Sequence, residues 1–125
     1  MKLADNFREA MKENSVPKLE TTLRDIREAV SQDDHPPVHV LYETKILAQI
    51  ASFLTKENYQ YDKVQKEATW ILVNVTSGES KYCKYVAQEL GGINCFINML
   101  SSPNCDVSDL VRGEDISLSN CRITL

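Results

Sequence analysis

The sequence predicts an all-α protein in which short helical units repeat along the chain. Two observations lead to this prediction. Apolar residues recur at helical spacing in almost every segment, and an order of short helix, short helix and long helix begins again near residue 79. Units of this kind bury their apolar faces only by stacking on one another, so the expected architecture is an elongated α-solenoid.

Apolar stripes and helix-breaking residues set the expected helices. Leu3, Phe7 and Met11 recur every fourth residue, and a second stripe follows Ser15, the expected N-cap. Pro36 and Pro37 interrupt the helical pattern, because proline lacks a backbone donor and restricts the residue before it. The expected helices are 3–13, 16–31, 37–43, 44–55, 62–77, 79–90 and 93–100.

These helices group into repeating units. Residues 36–78 form one complete unit, residues 1–31 supply the last two helices of a preceding unit, and residues 79–111 supply most of a following one. A unit of about 42 residues lies in the armadillo range, which predicts a right-handed armadillo solenoid of roughly two and a half repeats. Residues 112–125 carry no helical stripe and are expected to be a divergent, disordered tail.

Composition excludes several functional classes. A net charge of −4 argues against a nucleic-acid surface, and no apolar stretch is long enough to span a membrane. His35 and His39 have no Ser or Cys partner at a diagnostic spacing, so we predict no enzyme, no metal site and no cofactor. Without a signal peptide, the expected location is the cytoplasm and nucleus, and the cysteines are expected to be reduced. These cysteines are Cys83, Cys95, Cys105 and Cys121.

Trp70, the only tryptophan, precedes Asn74 by four residues on a predicted helix, so the two share one face. An indole can pack against the stem of a Lys or Arg, while a carboxamide can both donate to and accept from a peptide backbone. This pair favours an extended, basic peptide as ligand. The alternative is that Trp70 is an ordinary core residue and Asn74 a tolerated mid-helix residue.

Three segments give the chain a resemblance to a known family: EATWILVNVTSG, ELGGINCFINMLSSP and QDDHPPV. They resemble importin-alpha, the armadillo-repeat receptor for nuclear localisation signals, and the resemblance can be followed from near Met1 to about Val111. It implies binding to proteins that carry Lys- and Arg-rich nuclear localisation signals, and a role in nuclear protein import.

The resemblance also implies binding residues. The Trp and Asn of the family's third helix match Trp70 and Asn74, and the small-residue turn that follows matches Ser77 and Gly78. The resemblance implies three further peptide contacts at positions where this chain departs from the family's residues: Glu79, Val30 and Gln32.

Both ends depart from the family as well. The Arg- and Lys-dense segment that binds importin-beta in the family has no counterpart before Leu3, which makes importin-beta a doubtful partner. After Val111 the next Trp–Asn helix does not follow. We therefore expect binding weakened by truncation and self-association through the incomplete C-terminal repeat. The alternatives are a generic armadillo interaction scaffold, or a truncated isoform with little transport activity.

Overall fold

The computed structural model describes residues 2–31, 38–76 and 80–109 as helices joined by short connections. The described part contains no strand. Its α-helices are α1 (Lys2–Glu13), α2 (Val16–Val30), α3 (Val38–Glu43), α4 (Ile46–Ala51), α5 (Asp62–Thr76), α6 (Ser80–Lys84) and α7 (Gly92–Leu100). A 3-10 turn at Lys56–Asn58 and a π-helical turn at Tyr85–Glu89 complete the named elements, and residues 105–109 are also helical. The chain is an all-α armadillo-repeat protein, as predicted.

The apolar stripes point into one shared core. The α2 stripe of Leu19, Leu23, Ile26 and Val30 is buried throughout, as are Ala4, Phe7 and Ala10 on α1. The most extensive contact in the described part joins α2 to α5, the two long helices. Because both helices are amphipathic, burying their stripes against each other brings their outer faces side by side.

The helix predicted over 44–55 was too long, since α4 ends at Ala51. The backbone N–H groups of Phe53 and Leu54 bond back three residues, to Ile50 and Ala51, and this tightening ends the α-helix. The chain then passes through the 3-10 turn before α5. The predicted helix over 79–90 likewise changes character at Tyr85, whose carbonyl accepts from the N–H of Leu90 at 3.2 Å.

Side-chain hydrogen bonds tie the connection beyond α4 to α5 and to α7. Gln65, on α5 and only 1% exposed, donates from Nε2 to the carbonyls of Phe53 at 3.0 Å and Thr55 at 2.8 Å. The hydroxyl of Tyr59 donates to the carbonyl of Asn98 at 2.6 Å, which ties the same connection to α7. Buried carbonyls need such partners, so Gln65 fixes the path of the chain into α5.

Two turns between short helices use a left-handed backbone. Gly91 precedes α7 with φ 65°, and Lys45 precedes α4 with φ 63°. Glycine adopts this conformation without steric cost, but a residue with a Cβ does not. The turn at Lys45 therefore carries strain that the equivalent turn at Gly91 avoids.

The cysteine prediction holds only in part. Cys95 and Cys105 are free, and burial raises the pKa of the Cys95 thiol. Cys83 is disulfide-bonded, so the expectation of a reduced thiol is wrong for this residue. Sequence spacing carries no information on which sulfur atoms approach each other in three dimensions. Cys121 lies outside the described residues.

Other predictions concern parts of the chain that are not described. The proline break at 33–37 and the tail at 112–125 lie outside the described residues. On α7, Ile97 and Leu100 are exposed, while self-association through this repeat stays a prediction. Among the described helices, none is both long and apolar enough to cross a membrane.

We expect Lys45→Gly to stabilise the protein. The substitution removes the steric cost of a left-handed conformation, about 1–2 kcal/mol, from the folded state. Glycine also raises the entropy of the unfolded chain, which offsets part of this gain, so the free energy of unfolding should rise by about 0.5–1 kcal/mol. Chemical denaturation measures this. Lys84→Gly is the matched control, because Lys84 is exposed with φ −63° and should lose stability instead.

Gly91→Ala tests the same backbone effect in reverse. An added Cβ would meet nothing within 4 Å, so any loss of stability comes from the backbone alone. A cost of about 1 kcal/mol is expected. An unchanged denaturation midpoint in both Lys45→Gly and Gly91→Ala would show that these turns are not strained.

We expect Gln65→Leu to lower the free energy of unfolding by about 1–3 kcal/mol, because two hydrogen bonds from Nε2 are lost, each worth about 0.5–1.5 kcal/mol. The N–H and Nδ2 of Asn58 remain as donors to the Thr55 and Phe53 carbonyls, at 3.2 Å and 3.5 Å. Thr69→Val, one turn later on α5, is the control. The buried Thr69 hydroxyl has no hydrogen-bond partner in the described part of the chain, so its loss should be neutral or slightly stabilising. Equal effects of the two substitutions would contradict the role assigned to Gln65.

Candidate functional site

The candidate site is the outer face of α5 beside α2. Trp70 and Asn74 are both half-buried, and Trp70 is not among the buried residues of the core. The i, i+4 spacing on α5 places the two side chains on one face. This arrangement leaves part of the indole and part of the carboxamide at the surface.

Two side-chain contacts connect this face to α2. The guanidinium of Arg27 lies over the Trp70 ring, with Cζ 4.3 Å from the ring centroid. The Asn74 Nδ2 donates to the Ser31 hydroxyl at 2.9 Å, across 43 residues of sequence. Arg27 and Ser31 are also four residues apart, so α2 and α5 run alongside each other and meet at two successive levels.

An ion pair supports the first of these contacts. Arg27 Nε donates to Oε2 of Glu67, which precedes Trp70 by one turn on α5. The two side chains are 18% and 16% exposed. A pair removed this far from solvent is less screened than a surface pair, so it holds the guanidinium more firmly in place.

Trp70 also borders an open hollow of about 370 Å³ on the surface. The other described residues that line it are Lys66, Asp106 and Asp109. Lys66 Nζ lies 3.7 Å from Asp106 Oδ2, and these side chains are 38% and 69% exposed. Among the described residues, the hollow therefore combines the Trp70 indole with the exposed pair of Lys66 and Asp106 and with Asp109. The face of an indole can accept a cationic side chain.

Asn74 keeps hydrogen-bonding capacity for a ligand. Within the described residues, its side chain makes the single bond to Ser31, and an amide has two N–H donors and an accepting oxygen. One donor and the oxygen therefore remain for a peptide backbone. Such a group can hold an extended chain by its N–H and C=O groups, independently of sequence.

Of the other positions predicted to contact a peptide, the structure describes Val30. Val30 is only 6% exposed and packs in the core, so it offers little surface to a peptide. The stripe on α2 explains this burial, because Val30 continues the Leu23 and Ile26 series. Gln32, Ser77, Gly78 and Glu79 lie outside the described residues.

Sequence reasoning missed six residues that contact or border the site: Arg27, Ser31, Lys66, Glu67, Asp106 and Asp109. Lys66 and Glu67 lie one turn before Trp70 on α5, so helical spacing alone could have suggested both. The others come from α2 or from residues 105–109, and no local pattern connects them to Trp70. Among the described residues, no cluster of three or more His, Cys, Asp or Glu side chains could hold a metal ion.

Comparison with known proteins identifies relatives of the chain, although no family model matches it. Importin subunit alpha-1b of Oryza sativa subsp. japonica is 34% identical over 97 residues, which cover 78% of this chain and 17% of that protein. Importin subunit alpha-3 of Arabidopsis thaliana is 31% identical over 97 residues, covering 78% of this chain and 18% of the relative.

An animal relative shows a similar agreement. Importin subunit alpha-8 of Mus musculus is 35% identical over 79 residues, which cover 63% of this chain and 15% of that protein. The chain thus spans less than a fifth of the length of each of these relatives. Since plant and animal relatives of the same name agree over most of its length, and its fold is that of an armadillo repeat, the chain belongs to the importin-alpha family, as a partial member.

Proposed function

We propose that the chain is an importin-alpha-like adaptor that recognises basic nuclear localisation signals in nuclear protein import, and that it acts in the cytoplasm and nucleus. The binding surface in this proposal is the face of α5 that carries Trp70 and Asn74. The partners are proteins with Lys- or Arg-rich signal segments.

The position of Trp70 supports the proposal most directly. A core tryptophan would be buried among apolar side chains, whereas Trp70 is half-buried, carries a cation over its ring and borders a hollow. The ring already carries one guanidinium, and this contact supports the proposal that the indole can pair with a cationic side chain. A ligand lysine or arginine would use the same property from the side of the hollow.

Charge supports the same class of ligand. The exposed carboxylate of Asp106 borders the hollow beside Trp70, and the whole chain has a net charge of −4. A cationic peptide is therefore attracted both locally and at a distance. The exposed pair of Lys66 and Asp106 is weak, because solvent and salt screen it, so a ligand ammonium can compete for Asp106.

The main alternative is an armadillo scaffold that binds partner helices rather than basic peptides. It would use apolar surface such as the exposed Ile97 and Leu100 on α7, not the face of Trp70 and Asn74. The two functions therefore require different surfaces of the chain, and substitutions can separate them.

We expect Trp70→Ala combined with Asn74→Ala to weaken binding of a labelled Lys-rich peptide by about tenfold at low salt, through loss of one stacking contact and one amide contact. Fluorescence anisotropy of the peptide measures the affinity. Because Trp70 lies outside the buried core, the double variant should remain folded, with a thermal transition lowered by only a few degrees.

Tyr61→Ala is the matched control, because Tyr61 is an exposed aromatic residue just before the start of α5, and the substitution is expected to leave affinity unchanged. A neutral peptide of equal length tests the preference for charge. If wild-type protein binds the neutral and basic peptides equally, or if the double variant keeps full affinity, the proposed function is wrong. If the protein then bound partner helices, and Ile97→Ser abolished that binding, the result would favour the armadillo scaffold.

A further inference from the structure

Arg27 is in contact with the proposed binding residue without lining the hollow beside it. Its guanidinium stacks over the Trp70 ring at 4.3 Å, while the described lining of the hollow comes from Lys66, Asp106 and Asp109. The indole therefore has one region covered by its own protein and another open to a ligand.

The contact is held from both helices. Glu67 on α5 accepts from Arg27 Nε, and α2 is fixed against α5 by their shared apolar core. Arginine suits this position because its planar guanidinium stacks on an aromatic face while its edge bonds a carboxylate. Lysine has no such plane. Arg27 thus contacts both Glu67 and Trp70 on α5.

We propose that Arg27, held by Glu67, is a positioning residue that fixes the plane of the Trp70 indole and leaves only the hollow side open to a cationic ligand side chain. The inference rests on the proposed function, which makes Trp70 a ligand contact. An indole on a helix surface has several staggered rotamers, and ordering it before binding removes that entropy cost from association.

Positioning and simple electrostatics predict opposite changes in peptide affinity when Arg27 is removed. Removing a positive charge from the protein should favour a cationic peptide, whichever arginine is removed. If Arg27 only occupied the ring as a competitor of the ligand, its removal should also strengthen binding. Positioning alone predicts that binding becomes weaker when Arg27 is lost.

The experiment compares Arg27→Leu with Arg24→Leu in the full chain. Arg24 is exposed one turn earlier on α2 and makes no contact with Trp70 in the described structure, so it controls for the lost charge. We expect Arg27→Leu to weaken binding of the labelled Lys-rich peptide by about threefold to tenfold, whereas Arg24→Leu leaves it unchanged or slightly tighter.

A second readout reports on the indole itself, because Trp70 is the only tryptophan. With Arg27→Leu, acrylamide should quench Trp70 fluorescence more efficiently, and the indole band of the near-ultraviolet circular dichroism should lose amplitude. Arg24→Leu should change neither signal. If Arg27→Leu does not fold, Arg27→Lys replaces it, with the same direction of change expected in quenching and affinity.

The outcomes separate the two proposals. Unchanged or tighter binding by the folded Arg27 variant, with unchanged quenching, would overturn positioning while leaving peptide recognition intact. If wild-type protein binds no basic peptide, the proposed function fails, and the two spectroscopic signals then decide whether Arg27 holds the indole. In that case, identical quenching and circular dichroism of Trp70 in the wild type and in Arg27→Leu would also overturn the inference.

Discussion

The packing of α2 against α5 is the constraint on which the proposed site depends. Both helices bury apolar stripes, including Leu23 and Ile26 on α2 and Ile71 and Leu72 on α5. Once these stripes meet, the polar residues at the edge of each helix are brought into reach of one another. The contact of Arg27 with Trp70 and that of Ser31 with Asn74 both follow from this single arrangement. A site of this kind is as stable as the core beneath it.

Local patterns predicted the helices and the shared face of Trp70 and Asn74, since both follow from helical spacing within one segment. They could not predict the partners of that face. Arg27 is far from Trp70 in sequence, and only tertiary packing decides which of several exposed arginines reaches it. The early end of α4 was missed for a related reason. Its carbonyls are satisfied by Gln65 and by tightened turns rather than by a longer helix.

The turns that precede α4 and α7 show how one repeat can depart from another while keeping its geometry. Both turns need a left-handed residue, which is Gly91 in one and Lys45 in the other. The lysine is tolerated because buried residues on either side, Leu41 on α3 and Ile46 on α4, fix the backbone, while the Lys45 side chain is exposed. The connection into α5 is similarly held by other elements, since Gln65 on α5 donates to Phe53 and Tyr59 in the connection donates to Asn98 on α7. Stacked repeats can therefore tolerate local backbone strain that would unfold an isolated helical hairpin.

The surface proposed to bind cations contains two cationic side chains of its own, Arg27 and Lys66. Each is paired with a carboxylate, and the two pairs differ in their exposure to solvent. Arg27 and Glu67 form a largely buried pair, and removing either charge would leave the other without compensation in a poorly solvated place. Lys66 and Asp106 are far more exposed, so exchanging Lys66 for a ligand lysine costs little. In the proposed complex the first pair thus remains part of the scaffold, and the second is the one that a ligand exchanges. Since only the exposed pair is strongly screened, salt should weaken ligand binding without loosening the indole beneath it.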